Sequence, residues 1–340
     1  MQNQEFKVLI SDPTLRDGNH AVRHQLSVNQ IVVYAAAANA AGMPIVEVGH
    51  GNGLGASSLQ VGLAKTDDKS ALEAARNVLT SSKLGVHVIP GFATIKRDLR
   101  LALDVGVDVF RIASHCTEAD ITERHISYIR EHGREVYGVL MMSHMASKEI
   151  LVEEASKMQA YGAEGLIIMD SAGAFLPSDV EERVEVLVEA LSIPVGFHGH
   201  NNLGMAIANS ISAVNAGATI IDGTARGFGA GAGNTQLEVL IAVFDKLGIE
   251  TGVDLYKMLD ASDIAEKELI ETIPTISSVS LVSGLAGVFS GFVKHVSRIA
   301  SEYEVDPRDI FLELGRRKVV AGQEDMIIEV ASELRRMVSR

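Results

Sequence analysis

Side chains that ligate metals or move protons gather at two places in this chain, each directly after a short apolar run. One is ISDPTLRDGNH (Ile10–His20), where Arg16 adjoins Asp17 and His20 follows. The other is GFHGHNN, which supplies His198 and His200. In extended backbone, residues i and i+2 face the same way, so both imidazoles can close on one ion. With the Asp17 carboxylate they form a set that leaves positions open for substrate and water and suits Mn²⁺, Fe²⁺, Zn²⁺ or Mg²⁺. An H-x-H pair alone also fits a packed strand alternating in and out, so the reading depends on Asp17 reaching the same point.

Arg16 can hold a developing enolate oxygen or a substrate carboxylate in its planar fork, or simply form an ion pair. His20 titrates near neutral pH when unperturbed, which makes it a candidate base unless it is an ordinary loop histidine. MDSAG places Ser171 just past another apolar run, aimed at the same mouth. Cys116 has no clearly paired base and reads as a small buried apolar side chain. RGFGAGAGNT (Arg226–Thr235) leads into a helix, where backbone amides can bind an anion or a tight turn can let the helix approach. Its likeness to a dinucleotide fingerprint is discounted, since that motif belongs to a first βαβ unit and this is the last.

The elements that must position these residues alternate along the first 250 positions or so. Strands are expected at Lys7–Ile10, Ile45–Val48, Val86–Ile89, Val109–Ala113, Val136–Met142, Gly165–Met169, Val195–Phe197 and Thr219–Ile221, with helically spaced segments between them. Helices ending at glycine, as in AAGMP, DVGVD, AYGAE and NAGAT, mark the returns to the sheet. This pattern predicts an α/β fold, a (β/α)₈ TIM barrel over 1–252; a doubly wound sheet shares the alternation. In a closed barrel only the eighth strand separates the first from the seventh, so Asp17 can reach the ion that His198 and His200 hold. From about Leu255 the pattern turns helical, at Leu255–Leu269, Gly287–Tyr303, Asp306–Leu314 and Asp325–Met337, giving a mainly helical C-terminal domain over 253–340.

A chain of 340 residues that is 47% hydrophobic can bury a full core. Its net charge of −14 argues against a nucleic-acid surface, which needs a basic stripe. One cysteine excludes an intrachain disulfide and fits a reducing cytosol. MQNQEFKVLI lacks the basic region and long apolar stretch of a leader, and no run of roughly 18 apolar residues marks a membrane span. A soluble, cytoplasmic protein is expected.

TLRDGNHAVRHQ, EVGHGNGLGASS, RIASHCTEAD, LMMSHM, MDSAGA, HGHNNLGMAIANS, GAGAGN, LEVLIAV and AGQEDMI together resemble the 4-hydroxy-2-oxovalerate aldolases of meta-cleavage pathways. These belong to a barrel superfamily of metal-dependent pyruvate lyases and acyl-CoA condensing synthases, the DRE-TIM metallolyases. The likeness runs from about Val8 to Val330. TLRDG with HxHN indicates only the superfamily; GAGAGN and GQEDMI point to the aldolase branch. The resemblance implies cleavage of a 4-hydroxy-2-oxo acid to pyruvate and a short aldehyde. It also implies Mn²⁺, or another divalent cation such as Mg²⁺ or Co²⁺, on Asp17, His198 and His200. His20 would be the base, Arg16 would hold the enolate and Ser171 would contact the acid. An oligomer partnered by an acylating acetaldehyde dehydrogenase is implied too, with the helical domain in that contact.

Two departures stand out. Where the family has tyrosine in GVYSSF this chain has GVFSGF, with Phe289, which removes a hydroxyl that would orient His20 or the substrate. Where the family has leucines before PG, GVHVIPG carries His87, expected to face the substrate tail and to shift aldehyde specificity or to replace the lost hydroxyl. An acyl-CoA condensing synthase would show GxGERxGN in place of GFGAGAGN. A weakly active subunit scaffolding the dehydrogenase finds support only in Phe289.

Overall fold

The structure, a computed structural model, describes residues 7–338. Residues 1–6, part of the stretch read for a leader, and 339–340, the end of the expected helical domain, lie outside the described residues. Strands β1 (Leu9–Leu15), β2 (Ile45–Val48), β3 (Lys83–Val88), β4 (Val109–His115), β5 (Glu135–Met141), β6 (Gly165–Asp170), β7 (Val195–Gly199) and β8 (Ile220–Asp222) pair in parallel in chain order. β8 closes onto β1, so the barrel reading holds and the open sheet does not.

Several strands run past the points where their apolar runs stop. β1 is expected to end at Ile10 but carries on to Leu15, bending where its register with β2 shifts between Asp12 and Leu15. β7 and β8 likewise extend to Gly199 and Asp222. The cause is alternation. Inward positions on several strands start apolar and turn polar, because the barrel interior is packed in layers below and holds a site above. Ile45, Val109, Tyr137, Ile167 and Ile220 share an apolar floor. Two residues further on the same strands stand Glu47, Arg111 and Asp222, all buried. A larger core fills the layer between strands and outer helices. Helix Val28–Ala40 in that layer begins at a capping box in which Ser27 and Gln30 satisfy each other's backbone.

Helix Leu255–Glu268, expected to open the C-terminal domain, packs into the barrel's core through Met258, Ala261 and Ala265. A separate core forms around Val288, Phe292, Val296, Ile310, Phe311 and Val330. The helix expected over Gly287–Tyr303 begins only at Val293. Gly287 has φ +64°, and the turn that follows carries Phe289 over the barrel mouth. An additional helix, Ser278–Leu285, is poor in helix formers but is started by a Ser277/Ser280 capping box. Ser290 N–H donates to the Ser171 carbonyl at 3.0 Å, and His144 Nε2 lies 2.8 Å from the Gly287 carbonyl, so this segment is fixed to the ends of β5 and β6. No described helix is long and apolar enough to cross a membrane.

Candidate metal centre and active site

Asp17, His198 and His200 are all buried, and one ligand atom from each lies within 4.8 Å of the others. Asp17 Oδ2 is 3.9 Å from His198 Nε2 and 4.0 Å from His200 Nε2. The expected convergence of β1 and β7 ends is therefore present. Asp222 accepts from His198 Nδ1 at 2.8 Å, which fixes the proton there and leaves the Nε2 lone pair free. That Nε2 is buried without a hydrogen-bond partner. Asn234 Nδ2 (2.9 Å) and the Ala230 amide (3.2 Å) take up Asp17 Oδ1, so Oδ2 is the oxygen turned to the imidazoles. Buried lone pairs left unpaired cost about 1–3 kcal/mol each, and a carboxylate oxygen facing two imidazole nitrogens is a donor set that a divalent cation satisfies.

The glycine-rich loop after β8 serves this carboxylate. Its Ala230 amide goes to Asp17, and a Cβ on Gly229 would collide with Asn234 and lie 2.6 Å from Asp17 Oδ1. Burial raises the Asp17 pKa, but Arg16 and the neighbouring histidines outweigh it and hold the carboxyl well below its ordinary range. Burial pushes His200 down to about 4, against the pull of Asp17.

Arg16 donates from Nε to Glu47 Oε1 (2.5 Å) and from Nη1 to Asp17 Oδ2 (2.7 Å). Its Nη2 is buried and unpartnered. Glu47 is also 3.2 Å from Arg111 Nη1, and Arg111 Nη2 donates to Asp222 Oδ2 at 2.5 Å. Burial alone would raise Glu47, yet Arg111 and Arg16 bring it down to about 2. Desolvating each such ion costs several kcal/mol, so a buried chain of five contributes little net stability. Glu47, Arg111 and Asp222 escaped the sequence reading. Their signal was a single charge inside an apolar strand: IVEV, VFRIA and IID.

His20, half-buried, borders a cavity of about 810 Å³ that also meets Ser114, Met142, Ser171 and Phe289 and extends to His295 and Gly322 of the helical segment. Its ring lies edge-on to Phe289 at 6.4 Å and to His24 at 5.2 Å, and a Cβ on Gly51 would stand 2.6 Å from it. Burial lowers its pKa below 6.5 and Arg16 adds to this, while Asp17 opposes. Ser171 Oγ accepts from the Met142 amide at 3.0 Å and keeps its own proton to donate. His87 is not among the residues that line this cavity. β3 alternation places it inward, in register with Arg111, buried between the charges of Arg16 and Glu47, while Ile89 borders the cavity. Cys116 is buried, its thiol pushed up to about 12 by burial.

His24 and His50 stack beside His20 at 3.5 Å. Burial lowers them to about 2 and about 4, so both are neutral when folded. Below pH 6.5 the unfolded chain binds protons that the folded one refuses, so stability falls with falling pH. For the metal-free protein, His50→Gln should make calorimetric stability less pH-dependent between pH 6.5 and 5, by about 1 kcal/mol per pH unit. An unchanged slope would show that His50 protonates equally in both states.

A closed barrel with this donor set at the C-terminal ends of its strands defines a class, and residues 7–265 match the HMGL-like family. Residues 274–336 match the DmpG-like communication domain. The chain is 63% identical over 328 residues, 96% of each protein, to 4-hydroxy-2-oxovalerate aldolase of Pectobacterium atrosepticum. It is 64% identical, with the same coverage, to that of Spirochaeta aurantia. The chain belongs to the 4-hydroxy-2-oxovalerate aldolase family, and it is an aldolase, a carbon–carbon lyase. The carboxyl transferase domain of Rhizobium etli pyruvate carboxylase, solved with pyruvate and biocytin, superimposes with a TM-score of 0.82 at 16% identity, covering 98% of this chain and 61% of that one, and so shares the fold.

Proposed function

We propose that the protein cleaves a 4-hydroxy-2-oxo acid such as 4-hydroxy-2-oxovalerate to pyruvate and a short aldehyde, with a divalent cation, Mn²⁺ foremost, on Asp17, His198 and His200. The observation that carries this reading is the buried, unpartnered Nε2 of His198, held by Asp222 toward Asp17 Oδ2. A bound dication supplies a Lewis acid that stabilises negative charge on a 2-oxo oxygen. His20, neutral and bordering the cavity, takes the proton from the C4 hydroxyl. The C3–C4 bond then breaks, the aldehyde leaves, and its electron pair becomes a pyruvate enolate that is reprotonated at C3. Arg16 offers the free Nη2 to the developing oxyanion, and Ser171 offers its hydroxyl to the carboxylate.

Charge supports the choice of substrate. Within the contact chain the carboxylates Asp17, Glu47 and Asp222 outnumber the guanidiniums Arg16 and Arg111 by one, so a dication would leave that chain one positive charge, which a monocarboxylate neutralises. We assign the barrel to the residues up to Leu269 and the partner contact to those beyond. The communication-domain match supports an acylating aldehyde dehydrogenase as that partner, and we expect an oligomer.

Pyruvate release from 4-hydroxy-2-oxovalerate, followed with chelator and after adding back Mn²⁺, tests the reading. Loss and recovery are expected, and full turnover in chelator would refute it. Phe289→Tyr should change the preference among aldehydes of different length, whereas His87→Leu, lying below the cavity, should change it less. Unaltered kcat/KM ratios in both variants would remove the idea of shifted specificity.

A further inference from the structure

We propose that Arg111 is a positioning residue for the reaction: from across the barrel it sets the Arg16 guanidinium through Glu47 and the His198 imidazole through Asp222. The inference rests on the metal-dependent reading above and extends it to a residue that acts only through two carboxylates. Arg111 heads the largest fully buried side chains. It rises from β4, on the far side of the barrel from β8, the strand that carries Asp222. Its Nη2 donates to the same Asp222 oxygen, Oδ2, that accepts from His198 Nδ1. Its Nη1 is 3.2 Å from Glu47 Oε2, while Glu47 Oε1 accepts from Arg16 Nε. The sequence of contacts Arg16–Glu47–Arg111–Asp222–His198 therefore joins the oxyanion-binding group to a cation ligand through one fork.

Only a guanidinium spans this arrangement. It presents two nitrogens in a fixed plane to two carboxylates, whereas an ammonium is a single point of charge. A barrel interior is filled as well or better by branched apolar side chains, so folding alone does not call for a buried arginine. Without the fork, Asp222 loses the donor that orients it, and the His198 tautomer and ring angle loosen with it. Glu47 loses one of its two counter-charges and can turn, carrying the Arg16 fork off the position it holds over Asp17. One change thus disturbs two groups, Arg16 and His198, that otherwise meet through Asp17.

Arg111→Lys, with Arg111→Met beside it, should be purified metal-free and compared with the wild type. Mn²⁺ affinity is read from the resonance signal of the free ion, kcat and KM from pyruvate release, and folding from circular dichroism. A folded variant should bind Mn²⁺ about tenfold more weakly and lose kcat by about 10²-fold, with the smaller change in KM. A folded variant with wild-type Mn²⁺ affinity, or one changed only in melting temperature, overturns the proposal. So does failure of both variants to fold, which would make Arg111 a folding residue. If the wild type itself binds no Mn²⁺, the metal-dependent reading fails instead.

Discussion

Asp17→Asn is expected to cut turnover roughly 10³-fold and to remove measurable Mn²⁺ binding, because fixed charge aimed at developing charge is worth that much in a buried site. The variant is isosteric, so its effect is electrical. Asp17 Oδ1 accepts from Asn234 and from the Ala230 amide, and only an oxygen can stay there. The amide nitrogen must then take the place of Oδ2, 2.7 Å from Arg16 Nη1, which sets a donor against a donor. It also faces His198 and His200, where the carboxylate offers an anionic lone pair. Arg16 loses one of its two carboxylates and keeps Glu47. Circular dichroism should show an intact fold while Mn²⁺ titration shows no site. Wild-type affinity, or turnover above about a tenth of normal in a folded variant, would mean that the cation binds elsewhere.

Asp17, His198 and His200 were legible because ligand chemistry and the two-residue period of a strand are both local. Their meeting followed once eight strand–helix units implied closure. What stayed hidden depends on direction across the barrel. Glu47, Arg111 and Asp222 stand on three different strands, and nothing near any of them in the chain names its partner. His87 shares this dependence on direction. Its polarity marks the interior, but whether an inward side chain reaches the cavity or lies beneath it is set by height along the strand, and Ile89 holds the upper position. The strand ends were read too short because polar residues usually signal loops, whereas here they are the top layer of a packed interior. Helix Leu255–Glu268 looked like the start of a new domain because helices give no local sign of which core they join.

His20→Ala is expected to lower kcat/KM by roughly 10²–10⁴-fold while leaving Mn²⁺ binding near normal, the range for loss of a general base. The ring is held by packing from several sides, with Gly51 against one, Phe289 at an edge and His24 beyond, and it borders the cavity. A base must be unprotonated to act. Burial, helped by Arg16 and opposed by Asp17, puts its pKa below 6.5, so the wild-type kcat/KM should be level at neutral pH and fall only as pH drops below that value. In the variant this acid limb should vanish or move to the lower pH at which the cation ligands protonate; His200 is held at about 4. Phe289 offers no hydroxyl to relay the proton, so no neighbour on that side takes over the task. A folded His20→Ala protein with the wild-type limb at reduced amplitude would assign the titration to another group and leave His20 as packing.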